Sequence, residues 1–151
     1  MRALAIITRS TSSGAGLIGL GGGLTRVPFT TKVSDLNNLF TINNDGDLVA
    51  NQKMQCFADA TFTIGNTDSG SSNVVKSYLY VNGNEQPNQG LQAKVLQNTG
   101  GNTRAVALLD LEAGDVVGFY GSAQVEADIG VLASEPDVQE LNAIIILSVL
   151  G

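Results

Sequence analysis

Lys53-Met54-Gln55-Cys56-Phe57-Ala58-Asp59-Ala60-Thr61-Phe62-Thr63-Ile64 is the stretch that decides the fold. Met54, Cys56, Ala58, Ala60, Phe62 and Ile64 fall on one side of a two-residue period. Lys53, Gln55, Asp59, Thr61 and Thr63 fall on the other, where Phe57 is the single apolar exception. Alternation sustained over this length predicts a β-strand with one buried face. Cys56 then reads as a small core hydrophobe, because the chain has no histidine to activate a thiol.

The same period runs through the neighbouring segments. Residues 74–81 are rich in Val and Tyr and end in Asn82-Gly83, the pair that supplies the two positive-φ positions of a type I′ hairpin. Residues 91–96 predict a further strand, followed by a turn at Asn98-Thr99-Gly100-Gly101-Asn102 and a mostly apolar strand over 104–111. Glu112-Ala113-Gly114-Asp115 predicts a tight turn into 116–120. Residues 142–150 are apolar on both faces, with Ala143, Ile145, Leu147 and Val149 on one and Ile144, Ile146 and Leu150 on the other. On the N-terminal side, 28–33 and 39–42 read as short strands, and Asn44-Asp45-Gly46-Asp47 turns the chain before Leu48-Val49. Residues 135–141, opened by Ser134 with Pro136 just inside, make the one helical candidate. About seven to nine short strands with turns roughly every ten residues imply a sandwich or barrel. The expected fold class is all-β and antiparallel, a two-sheet sandwich or a barrel, with an extended N-terminal arm.

Composition excludes several function classes. A chain of 151 residues with 43% hydrophobic and 15% charged residues is one domain with a real core, not a disordered segment. No histidine is present, which removes the usual general base and the commonest metal ligand. The single cysteine rules out an intramolecular disulfide and a thiolate zinc site. The longest apolar runs, such as residues 143–147, are five residues, far short of the roughly 20 a spanning helix needs. Ala3-Leu4-Ala5-Ile6-Ile7 after Arg2 resembles a signal peptide, but it is short and runs into Thr8-Arg9-Ser10-Thr11, so cytoplasmic synthesis is expected.

Charge divides the chain. Residues 1–34 hold Arg2, Arg9, Arg26 and Lys32 and no acid, so a segment of about +4 precedes a body of about −10 within the net −6. Residues 12–24 are glycine-rich yet carry Leu17, Ile18, Leu20 and Leu24. A pure linker has no leucines, so residues 1–26 are expected to be an extended basic arm that orders in a groove, ahead of a β-sandwich domain over 27–151. Four charges with no aromatic residue before Phe29 argue against nucleic acid. Gly14-x-Gly16-x-x-Gly19 matches a dinucleotide fingerprint, but Arg9-Ser10-Thr11-Ser12-Ser13 intervene after the apolar stretch and Gly21-Gly22-Gly23 with Pro28 preclude the helix it needs. No cofactor is expected.

Three stretches together resemble the jelly roll of the tumour necrosis factor and complement globular-head family. They are residues 45–64, Leu111-Glu112-Ala113-Gly114-Asp115-Val116-Val117 within 106–117, and the apolar residues 143–150. The resemblance covers about residues 27–150, lacks the family's collagen-like stalk and is sparse in its aromatic residues. It implies a homotrimer with the last strand near the three-fold axis, placing Ile144, Ile146, Val149 and Leu150 at the expected interface. A strand apolar on both faces independently asks for cover on both sides. Jelly rolls of this kind occur in bacteriophage proteins that decorate capsids or tip fibres.

Other side chains offer candidate sites. Asp110, Glu112 and Asp115, and Asp45 with Asp47, are oxygen-rich turns, but a calcium loop fails because Thr41 and Gln52 occupy its first and last ligand positions. Asp59 with Glu126 or Asp128 lacks the aromatic cleft of a glycosidase. Tyr78, Tyr80 and Tyr120 are sugar-binding candidates, Tyr78 and Tyr80 sharing a strand face with Lys76. No catalytic or metal site is expected. The reading is a structural virion protein assembled in the host cytoplasm, a trimeric capsid decoration (cement) protein. Its arm, through Arg2, Arg9, Leu17, Ile18, Leu20, Leu24 and Arg26, would grip the major capsid protein, with no membrane or nucleic-acid partner. The alternative is a receptor- or glycan-binding fibre tip, reading through loops 65–73 and 87–90.

Overall fold

The alternation at residues 53–64 forms a twelve-residue strand, Met54–Gly65, at the centre of one of two antiparallel sheets. The computed structural model describes residues 3–10, 18–65, 73–87, 90, 93–95, 100–123, 127–129 and 141–150. In chain order the strands are β1 (Leu4–Ser10), β2 (Ile18–Leu20), β3 (Thr25–Arg26), β4 (Thr31–Asp35), β5 (Phe40–Ile42), β6 (Leu48–Ala50), β7 (Met54–Gly65) and β8 (Asn73–Val81). They continue with β9 (Asn84–Glu85), β10 (Ala93–Val95), β11 (Gly100–Leu111), β12 (Val116–Ala123), β13 (Ala127–Ile129) and β14 (Leu141–Val149). The first sheet runs β2-β13-β7-β14-β1-β4, with β11 along the other side of β7; the second runs β10-β8-β12-β6-β5, with β3 against β12 and β9 against β8. This is a two-sheet jelly-roll sandwich: the alternation and turn spacing imply a sandwich or barrel, and the family resemblance implies the jelly roll.

The inward residues of both sheets make one core. Phe62 and Phe119 meet at 5.3 Å between ring centroids, and Phe29 stacks on Phe119 at 6.0 Å. Gly121 lets this packing close, because a Cβ there would stand 2.9 Å from Phe62 and 3.1 Å from Leu20. In β14, Ala143, Ile145 and Leu147 are buried in the core while Ile144 and Ile146 face outward, half-buried.

The turns adopt the backbone conformations their residue types favour. Asn82 and Gly83 have φ of 50° and 79°, the two positive values of a type I′ turn, and join β8 to β9. Gly46 has φ +82°, and a Cβ there would lie 2.6 Å from Pro28 Cα and 3.1 Å from Phe29 N, where Phe29 N donates to Gly46 O at 2.8 Å. Gly46→Ala is therefore expected to cost about 2 kcal/mol or more in denaturant unfolding. Gly22→Ala, at a position with nothing within 4 Å, should stay within about 0.5 kcal/mol of the parent. The tight turn expected at Glu112–Asp115 does not pair the strands on either side of it: β11 pairs β7 and β12 pairs β8, so the turn is a corner between sheets. Leu111 and Val117 are each 1% exposed, facing the same core from opposite sheets. Of the expected helix at 135–141, only Leu141 lies within the described residues, and it opens β14.

The expected N-terminal arm requires the largest correction. β1 lies between β14 and β4, registering Ile6 with Ile146 and Ile7 with Ile145 on one side and Ile6 with Ser34 on the other. Ala5 and Ile7 are fully buried. β2 pairs β13, β3 pairs β12, and Leu20 is 1% exposed. A boundary at residue 26 therefore cuts through both sheets. Leu4-Ala5-Ile6-Ile7 alternates like any half-buried strand, but it is short and isolated by the glycine-rich stretch, so its partners are visible only in three dimensions.

Candidate interaction surfaces

Register places the outward residues of the first sheet in rows. One row is Leu4, Ser148, Phe57 and Leu108; the next is Ile6, Ile146, Asp59 and Val106; a third brings Ile144, Thr61 and Arg104 together. Leu4, Phe57 and Leu108 are 42%, 41% and 59% exposed. Ile6, Ile144, Ile146 and Val106 are half-buried beside them. Phe57, Val106 and Leu108, with Pro87 and Ala107, line a cavity of about 290 Å³ at the β11 side. One ion pair crosses the face: Arg104 donates to Asp59 in a two-pronged fork, Nε to Oδ1 at 2.7 Å and Nη2 to Oδ2 at 2.6 Å. That bond to Asp59 holds the Arg104 guanidinium above its ordinary pKa. The face is a broad apolar band with its one described ion pair internally satisfied.

The residues expected at a trimer interface divide. Ile144 and Ile146 lie within this band. Val149 pairs Cys56 and packs against the core instead, and Leu150, half-buried, follows the end of β14 with its N–H donating to Gln55 O at 2.9 Å. Phe57, Leu108, Val106, Leu4 and Ile6 complete the band. Phe57 carried a sequence signal, its break in the alternation; Leu108 carried none without the register that sets it opposite Phe57.

The residues expected to grip a partner also divide. Arg9 is 5% exposed on the inward side of β1, where burial lowers its pKa, and Leu20 belongs to the core. Ile18 is half-buried against that core. Neither Arg9 nor Leu20 can reach a partner while the sheets are intact. Leu24 is 51% exposed, and Arg26 is paired with Asp47. Arg2 and Leu17 lie outside the described residues.

The second sheet presents a different face. Along β8, Lys76, Tyr78 and Tyr80 point outward; opposite them on β12 stand Ser122, Tyr120 and Gly118, and Arg26 of β3 registers with Tyr120. Tyr80 and Tyr120 meet edge to face at 4.9 Å. Gly118 accommodates the Tyr120 ring, which a Cβ there would meet at 2.7 Å. Arg26 Nε donates to Asp47 Oδ1 at 3.1 Å and Nη2 to the Tyr120 hydroxyl at 3.0 Å, with the guanidinium 5.5 Å from the ring centroid. Burial opposes the Arg26 charge, but Asp47 and Tyr120 outweigh it and hold its pKa above the ordinary value. Burial raises the Asp47 pKa, and Arg26 offsets that only in part.

Of the candidate catalytic or metal-binding carboxylates, Asp47, Asp59, Glu112 and Asp115 have structural partners. Asp115 Oδ2 accepts from Glu112 N and Oδ1 from Asn82 Nδ2, both at 2.8 Å, which lowers its pKa; Glu112 pairs Lys53 at 2.7 Å. Asp59 is bound to Arg104, while Glu126 and the Asp128 side chain fall outside the description. Among the described residues, no three His, Cys, Asp or Glu side chains gather as a metal site, and no helix is long and apolar enough to cross a membrane. Loops 65–73 and 87–90 lie largely outside the described residues. Burial pushes the Cys56 thiol up to about 11. Native protein at pH 8 is therefore expected to be inert to an aromatic disulfide reagent and to release one equivalent of thiolate only on unfolding, followed by absorbance.

No family model and no curated protein matches the sequence. Solved structures match the fold. The tumour necrosis factor Eiger from S. frugiperda is similar with a TM-score of 0.60 at 10% identity, covering 99% of this chain and 93% of that one. The globular domain of zebrafish complement 1qA gives 0.58 at 12%, covering 98% and 95%. Murine APRIL at pH 5.0 gives 0.61 at 9%, covering 99% and 100%. At such identities the likeness speaks for the jelly roll alone.

Proposed function

We propose that this chain is a non-catalytic structural protein of a virion, a homotrimer that decorates the outer capsid surface and stabilises the shell. The observation that carries the assembly is the apolar band on the outward face of the first sheet. A contiguous band of Leu4, Ile6, Phe57, Val106, Leu108, Ile144 and Ile146 is costly to leave in water and marks a contact surface. Three copies packed through this face match the arrangement that the family resemblance implies. A partner that binds only the assembled shell stabilises it by mass action.

The capsid contact differs from the expected arm, because β1, β2 and β3 are built into the sandwich. It is assigned instead to the exposed segment around Leu24, where Gly21, Gly22 and Gly23 have open space about them. Co-sedimentation with purified capsids that lack the protein tests this. Saturable binding, a raised capsid melting temperature and a loss of binding in Leu24→Asp are expected. Protein that stays in the supernatant at every concentration contradicts the virion role.

A further inference from the structure

We propose that the outward face of the second sheet binds an acidic saccharide, seated on Tyr78, Tyr80 and Tyr120 and anchored by its carboxylate at Lys76. Three tyrosines meet on one open face, Tyr80 against Tyr120 at 4.9 Å and Tyr78 directly opposite Tyr120 in register. Tyrosine rings combine apolar area, to cover the C–H face of a sugar, with a hydroxyl to meet its polar groups.

Hydrogen-bonding capacity remains there. Tyr78 Oη and Ser122 Oγ stand 3.5 Å apart, well beyond the usual O–H···O separation of about 2.7–2.8 Å, so both retain capacity for a ligand hydroxyl. The Tyr120 hydroxyl accepts from Arg26 and still has its own proton to give. Arg26, held by Asp47 and Tyr120, keeps its side chain 40% exposed and fixes the Tyr120 ring in place. Few polar groups converging on an apolar platform are what a small-ligand site requires.

Charge selects among occupants. Lys76 is exposed and has no ion-pair partner among the described residues, whereas Arg26, Lys32, Lys53 and Arg104 are paired with Asp47, Asp35, Glu112 and Asp59. At the opposite end of the tyrosine row, Glu85 of β9 stands across from Tyr80. The face is thus cationic at Lys76 and anionic at Glu85, which orients a ligand with one carboxylate and a neutral, hydroxylated remainder. A nucleic-acid strand, charged at every phosphate, fits poorly against Glu85 and a chain of net charge −6. This face belongs to one chain and lies opposite the apolar band, so the site is independent of the proposed trimer.

An array of sialylated and uronate-containing oligosaccharides with matched neutral ones, probed with the full chain, tests the proposal; saturation-transfer NMR on free saccharides extends the test to weak binding. Carboxylated members are expected to bind in preference to their neutral counterparts. Lys76→Glu, an exposed change that leaves the melting temperature unaltered, should weaken that binding at least ten-fold, and Tyr78→Ala should do the same. If Tyr78→Ala fails to fold, Lys76→Glu decides alone. No saccharide bound by either method, binding unchanged in Lys76→Glu, or equal retention of a single-stranded oligonucleotide would each overturn the assignment.

Discussion

A chain shortened to begin at Val27 is expected not to fold. The truncation removes β1 from between β14 and β4, so both neighbours lose a full ladder of hydrogen bonds. It also removes Ala5, Ile7 and Leu20 from the core and the β3 pairing beside Tyr120. Burying Ile7 and Leu20 stabilises by about 1.5–3 kcal/mol each. With the exposed faces of Ile145 and Leu147 added, the loss reaches the roughly 5–15 kcal/mol total stability of a domain. Circular dichroism should show a cooperative melt for the full chain and none for the shortened one. Ile7→Asp, which buries a carboxylate at a fully enclosed position, should reproduce most of the loss in a full-length chain. A truncated chain melting like its parent would restore the detachable arm.

Ile146→Lys is expected to dissociate the assembly while leaving each chain folded. Ile146 lies in register between Ile6 and Asp59, in the middle row of the band. A lysine there finds Asp59 beside it in the separate chain, where the half-exposed position also admits water. In the assembly each copy forfeits about 1.5–3 kcal/mol of apolar burial and must desolvate an ammonium as well. Three copies lose roughly 5–9 kcal/mol together, on the order of a thousand-fold or more in association. Sedimentation velocity reads the change in size, and the melting of the separated chain shows whether it stays folded.

How much of this was legible in the residues depended on how local the signal was. The strand at 54–65 was readable because one of its faces is apolar almost without exception, and the Asn82-Gly83 turn because those two residue types tolerate positive φ. β1 was lost because an apolar run followed by polar residues and glycines looks the same whether it pairs or dangles. Its place is set by β14, more than 130 positions later. The second face of β14 was visible as excess apolar character, which led to Ile144 and Ile146. Phe57 and Leu108 became part of the same band only through the β7–β11 register. Val149 was assigned to the interface although it shares a strand side with Ala143, Ile145 and Leu147, and it packs inward as that parity dictates. The Arg26–Asp47–Tyr120 cluster depends on pairing between β3 and β12 that no spacing along the chain reveals.

The apolar face of the first sheet is proposed to assemble copies of this chain. Light scattering coupled to size exclusion, on the full-length protein and on Ile146→Lys, measures it directly. A trimer held by this face gives three times the 15.6 kDa chain mass for the parent and a single chain mass for the variant. A parent that elutes at one chain mass at tens of micromolar, or a variant that remains at three, would contradict it.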